Sequence, residues 1–194
     1  FGEAADLETY PKPIENDIEL LIDNGCDILF LPDYKEIYPD TYQQQEFAID
    51  GLDHKIEGAS RPGHFQGVCN VLHRVFILVC PSGAYFGQKD FQQTVVAKKL
   101  VAITNSPVEI RVIPIYREPH GLAMSSRNIR LSTKGRQNAA FIYRAISQAK
   151  EDVNEMELHE AIAKATQFIN AQKGAHIDYL LAVDTTTLDL SLIH

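Results

Sequence analysis

Between Pro13 and Ile115, stretches of helical periodicity alternate with short apolar runs, and this alternation constrains the fold more than any other feature of the sequence. Ile14, Ile18, Leu21 and Ile22 recur at helical spacing up to Asn24, with Gly25 where a C-cap belongs. Asp27-Ile-Leu-Phe-Leu-Pro32 then reads as a strand buried on both faces. The pattern repeats downstream. Phe65 to Val79 is predicted helical, Pro81-Ser-Gly breaks it, Ala84 to Gly87 reads as a buried strand, Asp90 to Ile103 as a helix, and Val108 to Ile115 as a strand. Helices alternating with apolar strands predict an α/β fold: a Rossmann-like parallel sheet with helices on both faces. After Ile115 the pattern changes to a polar loop from Arg117 to Asn128, helical patterns over Lys134 to Val153 and Glu157 to Gln172, and a predicted strand from Ile177 to Val183. Residues 1–115 and 116–194 are therefore expected to form two domains, the second smaller and α+β.

Composition narrows the partners. The formal net charge of -8 repels nucleic acid and acidic membrane surfaces at long range. Cys26, Cys69 and Cys80 form no C-x-x-C pair and follow no secretory leader, so reduced thiols and a cytoplasmic location are expected. The apolar runs are too short for a spanning helix, which needs roughly 20 residues.

Three clusters carry chemical interest. Gly87-Gln-Lys-Asp-Phe-Gln-Gln93 falls where a strand ends and a helix begins, the edge at which open α/β sheets bind ligands. Free N–H groups at a helix start attract anions, whereas Lys89 opposes the helix dipole unless an anion lies between them. Asp90 serves equally as an N-cap, and Gln93 as a solvent-facing residue or a ligand on the same edge. Met124-Ser-Ser-Arg-Asn128 offers two hydroxyls and a guanidinium fork to phosphate oxygens, or is an ordinary polar turn. Glu57-Gly-Ala-Ser-Arg-Pro-Gly-His-Phe65 holds Arg61 and His64 just before a helix, either for carboxylate or phosphate recognition or as solvated loop residues. His64, Cys69 and His73 do not match structural zinc spacing. The sequence contains no Walker loop, G-x-S-x-G elbow or G-x-G-x-x-G fingerprint.

In this order and at these intervals, the clusters resemble the pantothenate synthetase (pantoate:beta-alanine ligase) family over nearly the whole chain. Gly58 to Gly67 is similar to its E-G-x-x-R-P-x-H-F-x-G run, Phe86 to Gln93 to F-G-E-K-D-x-Q-Q, and His120 to Asn128 to D-G-L-A-x-S-S-R-N. Asp33 to Pro39 resembles P-x-x-x-x-[IM]-Y-P, and Phe1 to Asp17 the stretch after the family's first substrate loop.

The resemblance implies ATP-dependent condensation of pantoate with beta-alanine through a pantoyl adenylate. Residues 1–115 would bind ATP and pantoate, and 116–194 would act as a lid. Gly87, Gln88, Lys89, Asp90, Met124, Ser125, Ser126 and Arg127 would line ATP, with Lys89, Ser125, Ser126 and Arg127 serving catalysis. The Tyr116 backbone would lie near adenine, Gln93 would bind pantoate, and Arg61 and His64 would stand beside the substrate. Asp17, with Asn16, corresponds to an acidic position linked to Mg2+, and a homodimer is implied. Three departures stand out. Gln88 replaces a glutamate, and Pro119-His120 replaces the acidic residue before Gly-Leu-Ala. The family's H-x-G-H signature is expected ahead of Phe1 and its last strand region beyond His194, which implies weak catalysis by this chain alone. Two rival readings are a catalytically inert module that binds nucleotide or pantoate, and another adenylate-forming enzyme of the same superfamily.

Overall fold

The structure is a computed structural model that describes Tyr10 and residues 13–191. The likeness drawn over Phe1 to Thr9, and Pro11 within it, lies outside the described residues. Helices α1 (Ile14–Asp23), α2 (Tyr34–Ile37), α3 (Glu57–Ser60) and α4 (His64–Val79) lead to strand β1 (Gly83–Gly87). Helix α5 (Phe91–Ile103) and strand β2 (Glu109–Ile113) follow, and β1 pairs with β2. A strand, a crossover helix and a second strand in one sheet make the parallel α/β unit that the alternation predicted. Helices α6 (Thr133–Asn138), α7 (Ala140–Asp152) and α8 (Leu158–Asn170) complete the chain.

The chain divides into two compact units: Phe1–Phe86 with Gln93–Arg111, and Gly87–Gln92 with Val112–His194. The division thus comes four residues before the expected Ile115 boundary on β2, and the turn after β1 groups with the second unit.

In the first unit Ile49, Phe65, Cys69, Val96, Ala97 and Leu100 are almost wholly buried. Burial pushes the Cys69 thiol up to about 12, so it is an inert apolar filler. The segment around Gln45 to Phe47 is extended but joins no strand, and its backbone is satisfied by side chains of α4 instead. The Asn70 amide donates to Gln45 O (2.8 Å) and its oxygen accepts from Gln45 N (3.0 Å), while Gln66 does the same for Phe47 N and O. Buried peptide groups need such partners. Asn70 and Gln66 stand four apart on one helix face, at the spacing needed to serve alternate residues of an extended chain.

Three expectations are corrected. Asp27 to Pro32 forms no strand: no described residue pairs with it, and Ile28 and Leu31 are 84% and 62% exposed. Apolarity favours burial of a strand, but a strand also requires a partner to complete its ladder. The β1–β2 pair is also not covered on both faces. Tyr85, Glu109 and Arg111 share an exposed face, where Arg111 donates to the Tyr85 hydroxyl (2.6 Å) and the Glu109 carboxylate (2.7 Å). Ile177 to Val183 likewise forms no strand beyond an isolated bridge from Val183 to Leu190. Ile177 and Leu180 pack instead against the core of α7 and α8, around Ala145, Ala165 and Ile169. The small side chains of Ala145 and Ala165 let the two helices approach closely.

The pattern over Lys134 to Val153 is interrupted at Ala139, where the Ile142 N–H bonds Ala139 O, three residues back (3.1 Å). On the α7–α8 pair, Asp152 is 6% exposed and accepts from Lys164 (2.8 Å) and Gln148 (2.9 Å). The Lys164 hydrogen bond, then that of Gln148, holds its carboxyl below the usual carboxylate value. A depressed folded-state pKa contributes stability above the unfolded value, near 3.8, that is lost as pH falls through the folded value. Asp152→Asn should therefore lower the urea midpoint at pH 7, with the gap to wild type closing in acid below pH 3.8. A gap that stays constant down through that window would overturn the assignment.

Candidate functional site

β1 ends at Gly87, and Gln88–Asp90 form one 3-10 turn that runs directly into α5 at Phe91. Gly87, Gln88, Lys89 and Asp90 are all exposed. The Lys89 ammonium lies 3.5 Å from the Asp90 carboxylate, so the charge that opposes the helix dipole has a local counter-ion. With the two side chains 39% and 64% exposed, this pair contributes at most about 1 kcal/mol. A phosphate can displace Asp90 at little cost.

Downstream, the polar loop closes on itself. Arg117 and Ala123 form an antiparallel bridge, and Met124 N–H donates to Tyr116 O (2.9 Å). Gly121 makes the turn at a φ of +101°, and a Cβ there would meet the Tyr143 ring at 2.7 Å. The Arg117 guanidinium lies over that ring, 3.9 Å from its centre. After Met124 the chain turns sharply into a 3-10 helix, Ser126–Arg130, whose first turn is capped by Ser125 Oγ accepting from Arg127 N (3.3 Å). Ser126 and Arg127 face solvent.

The residues expected to line ATP thus fall in a single compact unit: Gly87, Gln88, Lys89 and Asp90 on the turn after β1, and Tyr116, Met124, Ser125, Ser126 and Arg127 around the closed loop. Gln93, Arg61, His64 and Asp17 belong to the other unit. Gln93 is half-buried on the first turn of α5, while its neighbour Gln92 is buried. Arg61 donates to His64 Nε2 (3.1 Å). A guanidinium only donates, so Nε2 accepts, and the imidazole is neutral with its proton on Nδ1. Burial, then the Arg61 charge, lowers the His64 pKa accordingly. The expected basic pair therefore carries one positive charge, which the Glu57 carboxylate faces at 3.9 Å.

Asp17 is exposed in the first turn of α1, and no group of three or more His, Cys, Asp or Glu able to hold a metal occurs among the described residues. Mg2+ keeps most of its waters and commonly uses one carboxylate together with substrate phosphates. Among the described residues Asp17 therefore belongs to no cage of side chains.

The sequence reading passed over one residue, Glu118. Its side chain is 10% exposed, and it accepts from Arg136 Nε through both oxygens (2.8 and 2.9 Å) and from Asn128 Nδ2 (3.0 Å). His120 stands 3.7 Å away, donating from Nε2 to Arg136 O (2.9 Å). Burial, the largest influence, raises the Glu118 pKa, but the hydrogen bonds from Arg136 and Asn128 and the charges of Arg136 and His120 outweigh it, leaving the carboxyl below its usual value.

Known proteins show which family the chain belongs to. The family described as pantoate-beta-alanine ligase matches residues 1–193. A pantothenate synthetase from Cytophaga hutchinsonii is 42% identical over 191 residues, covering 97% of this chain and 67% of the relative. A crystal structure of the pantothenate synthetase from Thermus thermophilus superposes with a TM-score of 0.90 at 39% identity, covering 98% of this chain and 70% of that one. The Francisella tularensis pantoate-beta-alanine ligase, solved in complex with beta-gamma ATP and beta-alanine, superposes with a TM-score of 0.73 at 34% identity, covering 87% of this chain and 63% of that one. The chain spans about two thirds of the length of these relatives.

Proposed function

Because the chain belongs to the pantoate-beta-alanine ligase family, we propose that it carries the nucleotide-binding part of an enzyme that joins pantoate to beta-alanine at the expense of ATP. The observation that carries this reading is the grouping of the Gly87–Asp90 turn with the Met124–Arg127 run in one compact unit. In the first step a pantoate carboxylate oxygen attacks the α-phosphorus of ATP, and pyrophosphate leaves. In the second the beta-alanine amine attacks the acyl carbon of the adenylate, loses a proton, and AMP departs. Neither step needs a covalent enzyme intermediate, so the protein contributes orientation and stabilisation of phosphate charge.

Lys89 and Arg127 supply positive charge, Ser125 and Ser126 supply hydroxyl donors, and the Tyr116 backbone meets adenine. Gln93 holds pantoate, with Arg61 and neutral His64 beside it. Mg2+ accompanies ATP, and Asp17 is its candidate protein ligand. The unit of residues 87–92 and 112–194 presents the nucleotide groups and the unit of residues 1–86 and 93–111 the pantoate groups, in a homodimer located in the cytoplasm. No helix among the described residues is long and apolar enough to cross a membrane.

AMP release by the full-length gene product, measured with ATP, beta-alanine and a panel of hydroxy acids, tests the reading. Turnover with pantoate alone is expected. Equal turnover with other acids points to a different adenylate-forming enzyme, and ATP binding without AMP release to an inert binding module.

A further inference from the structure

Among the described residues of the loop unit, Glu118 is the least exposed carboxylate after Asp152, and neither expected reaction step uses it. A buried carboxylate is costly unless its oxygens are filled, and these are: Arg136 Nε reaches both, and Asn128 Nδ2 takes one (3.0 Å). The geometry continues past Asn128. Its Nδ2 also donates to Ala123 O (3.1 Å), so both amide hydrogens are fixed. Its own N–H bonds Ser125 O (3.0 Å), and its carbonyl accepts from Leu131 N (3.1 Å). Asn128 is thereby held at every polar atom but its side-chain oxygen, and it sits in the middle of the turn that presents Ser125, Ser126 and Arg127. On the other side, Glu118 N–H bonds Leu122 O (2.8 Å) and its carbonyl accepts from Gly121 N (2.8 Å), anchoring the carboxylate to the closed end of the loop.

We infer that Glu118 is a positioning residue: by gripping Asn128 on one side and Arg136 of α6 on the other, it fixes the Ser125–Arg127 run in the conformation that receives the nucleotide phosphates. The inference rests on the ligase reading for the identity of the ligand, while the grip itself stands on the contacts. A charge is required because Arg136 spans both oxygens: the neutral, isosteric glutamine must turn its NH2 group towards Arg136, and in one of its two orientations towards Asn128 as well. The run would loosen, while Gln93, Arg61 and His64 belong to the other compact unit.

The test is Glu118→Gln in the full-length gene product, read by steady-state AMP release and by trypsin cleavage after the exposed Arg127 and Arg130. Loss of a hydrogen bond to a charged partner predicts a KM for ATP raised about tenfold and a KM for pantoate within about twofold of wild type. Cleavage after Arg127 and Arg130 should quicken by a similar factor and slow again with saturating ATP. Both KM values moving together, or unchanged cleavage, overturns the inference. If Glu118→Gln fails to fold, Arg136→Gln replaces it, since it removes the other half of the grip from an exposed helix and carries the same expectations. Wild-type protein that releases no AMP sinks the ligase reading instead. In that case unchanged cleavage in the variant removes the grip as well, whereas faster cleavage keeps the grip and overturns only its phosphate role.

Discussion

Lys89→Ala is expected to slow AMP formation by about 10²-fold, the size of losing one preorganised electrostatic contact, or about 2.7 kcal/mol of transition-state stabilisation. The expectation follows from where Lys89 stands. The 3-10 turn Gln88–Asp90 puts its ammonium at the carboxyl edge of β1 and the start of α5. There the charge opposes the helix dipole, and only the exposed Asp90 carboxylate offsets it, at 3.5 Å. A residue held in so weak an ion pair does little for the fold. The melting temperature should therefore stay within a few degrees, since an exposed pair contributes about 1 kcal/mol or less. Lys89→Arg keeps the charge but changes its reach, and should recover part of the rate. A wild-type rate in Lys89→Ala would remove Lys89 from the phosphate site. A collapse of the melting temperature would instead make it a structural residue.

What could be read in advance, and what could not, divides along physical lines. The β1–α5–β2 unit was legible because Pro81-Ser-Gly83 and Gly87 punctuate it and its strands pair within the chain. Asp27 to Pro32 carries an equally strong apolar signal but has no described partner, and pairing is not a local property of a sequence. The extended stretch at Gln45 to Phe47 was illegible for a related reason. Its hydrogen bonds come from Asn70 and Gln66, 25 and 19 residues away, in place of a neighbouring strand.

The candidate site shows the same division. Lys89 and the Ser125–Arg127 run were visible as ordered motifs, each contiguous in sequence. Glu118 was not, because its partners lie 10 and 18 residues off and nothing in its immediate neighbourhood separates it from a solvated glutamate. The Arg61–His64 pair was visible as two basic residues but not as a single charge. Only the 3.1 Å contact from an obligate donor shows that the imidazole is neutral.

Gly58→Ala should cost about 3 kcal/mol or more and lower the melting temperature by about 6–12 °C in a chain of this size. Gly58 is buried in the first turn of α3, its N–H bonded to Lys55 O (2.8 Å). A Cβ there would be driven into the backbone carbonyl of Asp53, with Asp53 Cα only 3.0 Å away. Backbone cannot swing aside as the end of a side chain can, and here it is fixed on both sides. Asp53 lies within the 3-10 turn Leu52–His54, and its carboxylate accepts from Gln66 of α4 at 3.0 Å. Ile56 already holds a φ of +47°, unfavourable for a β-branched residue, in making the tight reversal between them. Gly67 on α4 provides the contrast, since a Cβ there meets nothing within 4 Å and the position is helical. Gly67→Ala should stabilise by about 0.5–1 kcal/mol through reduced backbone entropy in the unfolded chain. Opposite signs from the same methyl group at two nearby positions would show that close packing of the 53–58 reversal, rather than a general need for glycine, fixes the approach to Arg61 and His64. Equal, small effects would mean that the reversal yields, and that its strained residues do not hold that approach in place.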